Sequence, residues 1–428
     1  MNQNVSQIWH SPSIRNVGKL LSANIFAQAL SLLIYPLLTR LFTPENFGLM
    51  SLFLSISGVL VIVATAEYHY AIVLPKEEEK ARSLAQLCGF IVACVVIFLC
   101  LTIPFSRGIA ALFKAPELAH WWWAMPVSVA VMAVWNILNY LYIRSQSFTK
   151  ISSYLISQSV VNAGAKLSFG WLGWLSGGLI IGSIVGPFCA IVWHVVAGWK
   201  QRFRQLFVIN RPAVHEMAKE YRNFPCFSLP KSLVNTFSMN LPTFLLTPVF
   251  GLENVGFWSL ALMVSFQPVN IIARSIYQVF YQKVAVLVQQ RQSIRGVIWA
   301  YTWKMGLVMI VGLAALYGLL PWLVTTLFGA KWLVSATLIR YLYPMIGLTI
   351  LSSVLCFLPD VFGRQRGAFV LEVINLALLL IALSIGIYLG EFRRSILLYS
   401  LAETLFILLQ LGWFGSLVRR YEQSISDR

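Results

Sequence analysis

Residues 38–52 read LTRLFTPENFGLMSL, and residues 246–260 read LTPVFGLENVGFWSL. Eight of the fifteen aligned positions are identical, where chance would give about one or two. Each copy connects two long apolar segments, and the copies start 208 residues apart. A duplicated structural unit explains the match; the alternative is that turns between helices converge on Gly, Asn and Pro. The spacing predicts a chain built from two halves of similar fold.

The composition of the chain is that of an integral membrane protein. Hydrophobic residues make up 58% of its 428 residues and charged residues 11%, whereas soluble domains carry about 25% charged residues. Apolar segments of about 20 residues, long enough to span a bilayer, recur along the whole chain. Because these segments are long and continuously apolar, they predict an all-α protein rather than a β-barrel.

We predict about twelve transmembrane helices, six in each half. Six spans return the chain to the face from which it started, so the halves are predicted to be parallel repeats. The predicted domains are an N-terminal lobe at 1–203, an amphipathic cytoplasmic linker at 204–225 and a C-terminal lobe at 226–428. The predicted spans are 17–38, 47–67, 84–106, 119–143, 153–173, 177–199, 226–250, 255–279, 297–318, 335–358, 367–389 and 395–417.

Lys and Arg residues are distributed unequally between the two predicted faces. If the N-terminus is cytoplasmic, the inner segments hold 21 of these residues and the outer loops hold six. Positive residues accumulate on the cytoplasmic side, so both termini are predicted to be cytoplasmic. The net charge of +17 is therefore assigned to orientation and not to nucleic acid binding, for which no basic soluble domain is available.

The sequence carries none of the common catalytic or metal-binding motifs. It has no P-loop GxxxxGK[ST], no HExxH and no GxSxG, and its six cysteines form no CxxC pair. We therefore predict that the protein is not an enzyme and that it holds neither a cofactor nor a metal ion.

Several predicted spans carry polar side chains at intervals of three or four residues, which places them on one helix face. Hydrogen bonds between helices are one explanation for such stripes, and a water-filled internal cavity is the other. The predicted polar lining of this cavity is Asn24, Gln28, Asn162, Asn235, Gln267 and Asn270.

Cations outnumber acids within or at the ends of the predicted spans, which gives the predicted cavity a positive character suited to an anion. Arg274 is the leading candidate for a phosphate contact, because a guanidinium can donate to two oxygens at once. Snorkelling to the membrane surface is the alternative for cations near span ends, such as Lys19, Lys231 and Arg340. The predicted anion-binding residues are Arg274, Lys231, Lys166 and Lys304.

Two acids, Glu372 and Glu403, lie inside predicted spans rather than at their ends. Intramembrane carboxylates can exchange a proton or a sodium ion for substrate, so these two are the predicted ion-coupling residues. Internal ion pairing is the alternative. Glu67 and His69, at the end of the second predicted span, receive no predicted role.

Four stretches of the chain resemble, in order, the Wzx-type oligosaccharide flippases. The resemblance covers nearly the whole chain, with one departure: relatives often read Arg-Tyr-Glu where this chain has Glu67, Tyr68 and His69. The similar stretches are EYHYAIVLPKEEEKARSLAQL (67–87), KEYRNFPCFSLPKSLVNTFSMNLPTFLL (219–246), FGLENVGFWSLALMVSFQPVNIIARSIYQVFYQKV (250–284) and FGAKWLVSATLIRYLYPM (328–345).

The resemblance implies the fold of the multidrug/oligosaccharidyl-lipid/polysaccharide exporters, with two pseudosymmetric six-helix bundles around a V-shaped central cavity. It implies a multi-pass protein of the bacterial inner membrane. It also implies alternating access, coupled to an ion gradient, that flips an undecaprenyl-diphosphate-linked oligosaccharide such as an O-antigen unit from the cytoplasmic to the periplasmic leaflet.

The expected partners are this lipid-linked oligosaccharide, H⁺ or Na⁺ as coupling ion, the lipid bilayer and the polysaccharide polymerase machinery. Two halves in one chain need no second copy to form a cleft, so a monomer is expected. A multidrug antiporter of the same fold is one alternative, although it should favour buried acids over Lys and Arg. An integral membrane glycosyltransferase or polymerase is another, although it should carry a long periplasmic loop.

Overall fold

The computed structural model describes residues 12–198 and 211–426, so residues 204–210 of the predicted linker lie outside the described residues. All regular secondary structure in these two ranges is helical, as the sequence predicts. The chain packs as two compact units, Met1–Leu252 and Glu253–Arg428. The division by repeats, with its boundary before residue 226, remains a prediction, since residues 226–252 pack with the N-terminal unit.

Long helices joined by short turns make up both units. In chain order the α-helices are α1 (Pro12–Leu41), α2 (Pro44–Thr65), α3 (Glu78–Leu101), α4 (Ser106–Leu112), α5 (Pro116–Trp121), α6 (Met125–Arg144), α7 (Phe148–Trp171), α8 (Gly178–Gly198), α9 (Arg211–Glu220), α10 (Leu229–Gln289), α11 (Arg295–Phe328), α12 (Leu333–Leu355), α13 (Leu358–Val361), α14 (Gln365–Tyr388) and α15 (Phe392–Ser426). Between α2 and α3 lies a 3₁₀ turn, Tyr68–Val73.

Ten helical stretches among the described residues are long and apolar enough to cross a membrane. The protein is therefore a multi-pass membrane protein, while the predicted number of twelve spans is not confirmed. Helix α7 is not among the ten, since its Ser, Gln, Asn and Lys residues lower its hydropathy. The predicted seventh span and the first part of the eighth fall in one stretch, Phe224–Val269, because α10 continues through both.

The repeated phrase interrupts a helix at the same aligned position in both copies. In the first copy Thr43 accepts a hydrogen bond from the backbone of Asn46, whose side chain accepts one from the backbone of Thr43 at 3.1 Å. This reciprocal cap starts α2. In the second copy Gly251, which aligns with Thr43, interrupts α10 with φ 81° and ψ 170°, a conformation that essentially only glycine adopts. We call residues 229–250 the first arm of α10 and residues 252–289 its second arm.

Aligned side chains of the two copies are also buried alike. Pairs buried in both copies include Leu38 and Leu246, Thr39 and Thr247, and Leu52 and Leu260. Shared burial at aligned positions supports duplication over convergent turn chemistry, since a turn alone does not require matching buried residues in the helices that flank it.

In the C-terminal unit, α15 packs against both α12 and α14. One apolar core of this unit includes Val284, Ile294, Phe357 and Phe414. The carboxylate of Glu422, near the end of α15, accepts hydrogen bonds from the backbone of Ile294 and of Arg295, and so caps the start of α11.

Candidate functional site

A polar pocket of about 370 Å³ lies in the N-terminal unit, where α2 ends. Its walls come from the end of α2, the 3₁₀ turn, the middle of α6 and the first arm of α10. Side chains with hydroxyl, amide, imidazole or carboxyl groups make up nearly all of the lining. The lining residues are Ile62, Thr65, Glu67, His69, Tyr70, Asn136, Asn139, Tyr140, Ser232 and Thr236.

The backbone at the end of α2 turns Glu67 toward this pocket. Ala66 and Glu67 both adopt left-handed conformations, with φ of 44° and 62°, which are uncommon for residues other than glycine. The turn follows the end of α2 at Thr65, and the Glu67 side chain is only 3% exposed. Unfavourable backbone conformations cost free energy, and they are found preferentially at functional sites. Two such residues in succession at the wall of a cavity therefore point to a functional site.

The Glu67 carboxylate has a polar partner but no ionic one. The Ser232 hydroxyl donates a hydrogen bond to this carboxylate. The second oxygen, Oε2, is buried without a hydrogen-bond partner, and no ion pair of Glu67 occurs within the described residues. Burial raises the pKa of Glu67 from 4.5 to about 7, although the Ser232 hydrogen bond opposes this shift.

His69 lies beside Glu67 in an aromatic environment. Its ring packs against Tyr70, with centroids 4.2 Å apart, and against the edge of Tyr140 at 5.2 Å. The side chain is 4% exposed and its Nδ1 has no hydrogen-bond partner among the described residues. Burial lowers the pKa of His69 to about 4. The imidazole is therefore neutral near pH 7 and does not balance the charge of Glu67.

Arg144, at the end of α6, holds the segment that follows the pocket. Its guanidinium donates to the backbone carbonyls of Ile72 and Lys76, at 3.2 Å each. Its Nε lies 3.7 Å from a carboxylate oxygen of Glu78. This cation therefore stabilises the link between the 3₁₀ turn and α3 and does not pair with Glu67.

The predicted ion-coupling residues lie on two neighbouring helices of the C-terminal unit. Asn375 on α14 donates from Nδ2 to Oε1 of Glu403 on α15, at 3.4 Å. Asn375 is 7% exposed, and its Oδ1 has no hydrogen-bond partner among the described residues. Glu372, one turn before Asn375, is half-buried. The structure therefore brings Glu403 together with a buried amide that the sequence did not single out.

The four predicted anion-binding residues occupy different environments. Lys166 on α7 is buried against α8, where a Cβ added to Gly182 would lie 2.5 Å from Lys166 Cγ. Glycine thus permits the close approach of the two helices. Lys231 on the first arm of α10 and Lys304 on α11 are exposed. The side chain of Arg274, on the second arm of α10, lies outside the described residues.

The six residues of the predicted polar lining also lie in different environments. The Asn24 amide donates to the Leu20 carbonyl of its own helix at 2.9 Å, whereas Gln28 Oε1 is buried without a hydrogen-bond partner among the described atoms. Asn162 packs beside Gly186 at the α7–α8 interface. The three remaining positions are Asn235, which is exposed, Gln267, which is half-buried, and Asn270, whose side chain lies outside the described residues.

Sequence reasoning missed the polar pocket, although part of its pattern was present. On α6 the lining residues have the i, i+3, i+4 spacing of one helix face: Asn136, Asn139 and Tyr140. On the first arm of α10 they have the i, i+4 spacing: Ser232 and Thr236. These intervals place each group on one helix face. The inward direction of Glu67 had no such signal, because it depends on the left-handed turn after α2.

A second cavity of the N-terminal unit, of about 610 Å³, lies between α4 and α5. Alanines form much of its wall, and its basic side chains Arg107, Lys114 and His120 are exposed to solvent. The smaller pocket around Glu67 is the stronger candidate site, since it holds buried polar atoms that lack partners.

Known proteins resemble this chain in sequence and in fold. The succinoglycan biosynthesis transport protein ExoT of Rhizobium meliloti (strain 1021) is 20% identical over 364 residues, which cover 83% of this chain and 70% of ExoT. A solved inward-facing multidrug resistance MATE family transporter of the MOP superfamily has a TM-score of 0.68 at 13% identity, over 96% of this chain and 99% of the other.

A similar likeness links this chain to the lipid II flippase MurJ in an inward closed conformation, with a TM-score of 0.68 at 13% identity, over 95% of this chain and 91% of MurJ. At this level of identity the two solved structures establish the fold alone. The family described as "Polysaccharide biosynthesis protein" matches residues 37–337, which is more than half of the sequence. The chain therefore belongs to the polysaccharide biosynthesis protein family.

Proposed function

We propose that the protein flips a lipid-linked oligosaccharide from one leaflet of the membrane to the other. The family match over residues 37–337 carries this proposal. The similarity to a succinoglycan biosynthesis transport protein and the fold shared with a lipid II flippase support it. A many-helix membrane protein without a recognisable catalytic motif fits transport better than synthesis.

The substrate in this proposal is an oligosaccharide on undecaprenyl diphosphate, such as an O-antigen repeat unit or a related surface polysaccharide. It would move from the cytoplasmic to the periplasmic leaflet by alternating access. Arg274, Lys231 and Lys304 are the residues proposed to bind the diphosphate, because cations favour phosphate oxygens. Lys166, which is packed against α8, is the fourth predicted anion-binding residue and stays a prediction.

Ion coupling is proposed to use the acids of the C-terminal unit. Glu403 is bonded to the buried amide of Asn375, and Glu372 lies one turn before that amide on the same helix. A carboxylate held beside a polar side chain between two membrane helices is a site where H⁺ or Na⁺ can bind and leave. Binding there would change the packing of α14 against α15.

A multidrug antiporter is the second candidate, because the likeness to a MATE family transporter is as close as that to the flippase. The charge of the chain argues against it. Cationic drugs favour buried acids, whereas this protein has 32 Lys and Arg residues against 15 Asp and Glu residues.

The proposal can be tested in a host that lacks its own flippase but makes the matching lipid-linked repeat unit. The readout is the polysaccharide ladder on a gel at equal membrane levels of each variant. We expect a ladder with the wild-type chain and a loss of about tenfold or more with Arg274→Ala, since charge-assisted hydrogen bonds to a phosphate are lost. Arg274→Lys should keep part of the activity, because the positive charge remains but an ammonium cannot donate to two oxygens in the fixed geometry of a guanidinium.

Arg420→Ala is the matched control, since it removes an exposed arginine near the end of α15. It should leave the ladder unchanged. A wild-type chain that makes no ladder with its own repeat unit would overturn the flippase proposal and favour the antiporter. A full ladder with Arg274→Ala would remove that residue from the diphosphate site while leaving the function intact.

A further inference from the structure

The polar pocket around Glu67 belongs neither to the proposed diphosphate site nor to the acids of the C-terminal unit. It contains a carboxylate that is almost fully removed from solvent, at 3% exposure, and that lies in the connection between α2 and α3. A buried carboxylate must be paired with a cation, extensively hydrogen-bonded or neutralised by a proton.

Neither ion pairing nor hydrogen bonding fully compensates for the burial of the Glu67 carboxylate. No cation pairs with it among the described residues. One oxygen accepts from Ser232, but Oε2 is buried without a hydrogen-bond partner. A single neutral hydroxyl compensates only part of the cost of burying a full negative charge, whereas protonation removes that charge.

The neighbouring groups are suited to a carboxyl in its acid form. Asn136 and Asn139 line the same pocket from α6 and offer side-chain carbonyl oxygens, while Thr65 and Thr236 offer hydroxyl oxygens. These atoms can accept the hydrogen bond that a protonated Oε2 would donate. Each is uncharged, so none of them requires Glu67 to stay ionised.

Among the described titratable groups that line the pocket, Glu67 is the one whose charge changes near neutral pH. From the 3₁₀ turn, His69 and Tyr70 line the pocket, and from α6 Tyr140 does. Burial lowers the pKa of His69 to about 4 and raises that of Tyr70, so both remain neutral. The nearby cations of the lining helices are directed elsewhere: Arg144 bonds to backbone carbonyls, and Lys231 is exposed.

We propose that the pocket is a proton-binding site at which Oε2 of Glu67 takes up and releases one exchangeable proton. In the acid form the carboxyl is neutral and donates to an amide or hydroxyl oxygen of the lining. On release the proton passes to water in the pocket and the negative charge returns to the carboxylate. This site is distinct from Glu372 and Glu403, and its occupancy does not depend on which saccharide is transported.

The test is pH-dependent infrared difference spectroscopy on the purified full-length protein in lipid, without substrate. A protonated carboxyl has a C=O stretching band that an ionised carboxylate lacks. We expect a band that titrates near neutral pH in the wild type and is missing in Glu67→Gln. The matched control is Glu79→Gln, which removes an exposed acid at the start of α3 and should leave the band in place.

Ser232→Ala provides a second variant should Glu67→Gln fail to fold. Loss of the hydroxyl removes a hydrogen bond that favours the ionised form, so the midpoint of the band should move to higher pH, by up to about tenfold in proton affinity. Ser238→Ala is its control on the same arm, because Ser238 donates to the Val234 carbonyl of its own helix. That substitution should not move the midpoint.

Three results would overturn the proposal. One is an identical set of titrating bands in the wild type and Glu67→Gln, which would mean that Glu67 stays ionised. Another is a Glu67 band that persists at every pH, which would mean that the proton does not exchange. The third is a Glu67 band that titrates only when sodium is replaced by potassium, which would make the pocket a sodium site. Because no substrate is present, each result leaves the proposed transport function untouched.

Discussion

Two acids of this protein, the buried Glu67 of the N-terminal unit and the half-buried Glu403 of the C-terminal unit, differ in how they are held. Glu403 lies within α15 and accepts a hydrogen bond from Asn375 on the neighbouring helix α14. Glu67 lies in the left-handed turn after α2, and its Oε2 lies beside a polar pocket without a hydrogen-bond partner. Neither acid forms an ion pair within the described part of the chain.

This difference separates two consequences of gaining or losing charge. A change at Glu403 acts on the interface between two helices, because the bond to Asn375 joins α14 to α15. A change at Glu67 acts on a turn, on the pocket beside it and on the hydrogen bond to Ser232. We therefore expect Glu403 to control whether transport occurs and Glu67 to control how transport responds to pH.

The largest effect is expected from Glu403→Gln. The amide keeps an oxygen that can accept from Asn375, but it cannot carry a negative charge. If the charge couples an ion to transport, flipping should fall about tenfold or more at every pH, as loss of a charge-assisted bond predicts. The polysaccharide ladder measures this. Near-normal ladders would show that Glu403 acts only as a hydrogen-bond acceptor. Glu391→Gln, at an exposed acid just before α15, is the control.

A smaller, pH-dependent effect is expected from Glu67→Gln. The introduced amide imitates the protonated acid, so the variant should flip substrate at a rate that changes little between about pH 6 and 8, the interval around the raised pKa of Glu67. The wild type should change several-fold over the same interval. Initial flipping rates in vesicles at a series of pH values provide the comparison. If the flipping rates of the wild type and Glu67→Gln change with pH in the same way, Glu67 does not control the pH response.

The same substitution should change how thermal stability depends on pH. The folded-state pKa of Glu67, about 7, lies above its ordinary value of 4.5. The stability linked to this group is therefore complete below about pH 4.5 and is lost as the pH rises through about 7. Glu67→Gln avoids that loss, so its melting temperature should match the wild type at low pH and exceed it by a few degrees at pH 8. A constant difference at all pH values would contradict the raised pKa.

The smallest effect is expected from His69→Phe. The phenyl ring can retain the packing against Tyr70 and Tyr140, and His69 is neutral near pH 7, so no charge is removed. The pH profile of flipping should stay within about twofold of the wild type, in line with a conservative buried exchange. A profile that flattens as in Glu67→Gln would transfer the titrating role to the histidine.

The sequence predicted the parts of this molecule that follow from regular periodicity. The helical class follows from apolar length, and the helix interruption shared by Thr43 and Gly251 follows from the duplicated phrase. Glu403 was identified because an acid in the middle of an apolar run is costly and therefore conspicuous. These inferences need only the local chain and the solvent around it.

The remaining features depend on contacts between distant segments. Lys166 has the spacing of a cavity residue, yet Gly182 lets α8 pack directly against it. The partnership of Asn375 with Glu403 depends on the pairing of α14 with α15. The pocket depends on two left-handed residues and on Ser232, which lies more than 160 residues after Glu67. No period in the sequence specifies these contacts.

The most direct test of the central claim is flipping by the purified protein in vesicles. Undecaprenyl-diphosphate-linked oligosaccharide would be placed in both leaflets, and a membrane-impermeant glycosidase added outside under a pH gradient. We expect the inner-leaflet saccharide to become accessible with the wild-type chain and to stay protected in protein-free vesicles. Equal protection in both kinds of vesicle, with folded protein and the matching saccharide, would contradict the proposal that this chain flips a lipid-linked oligosaccharide.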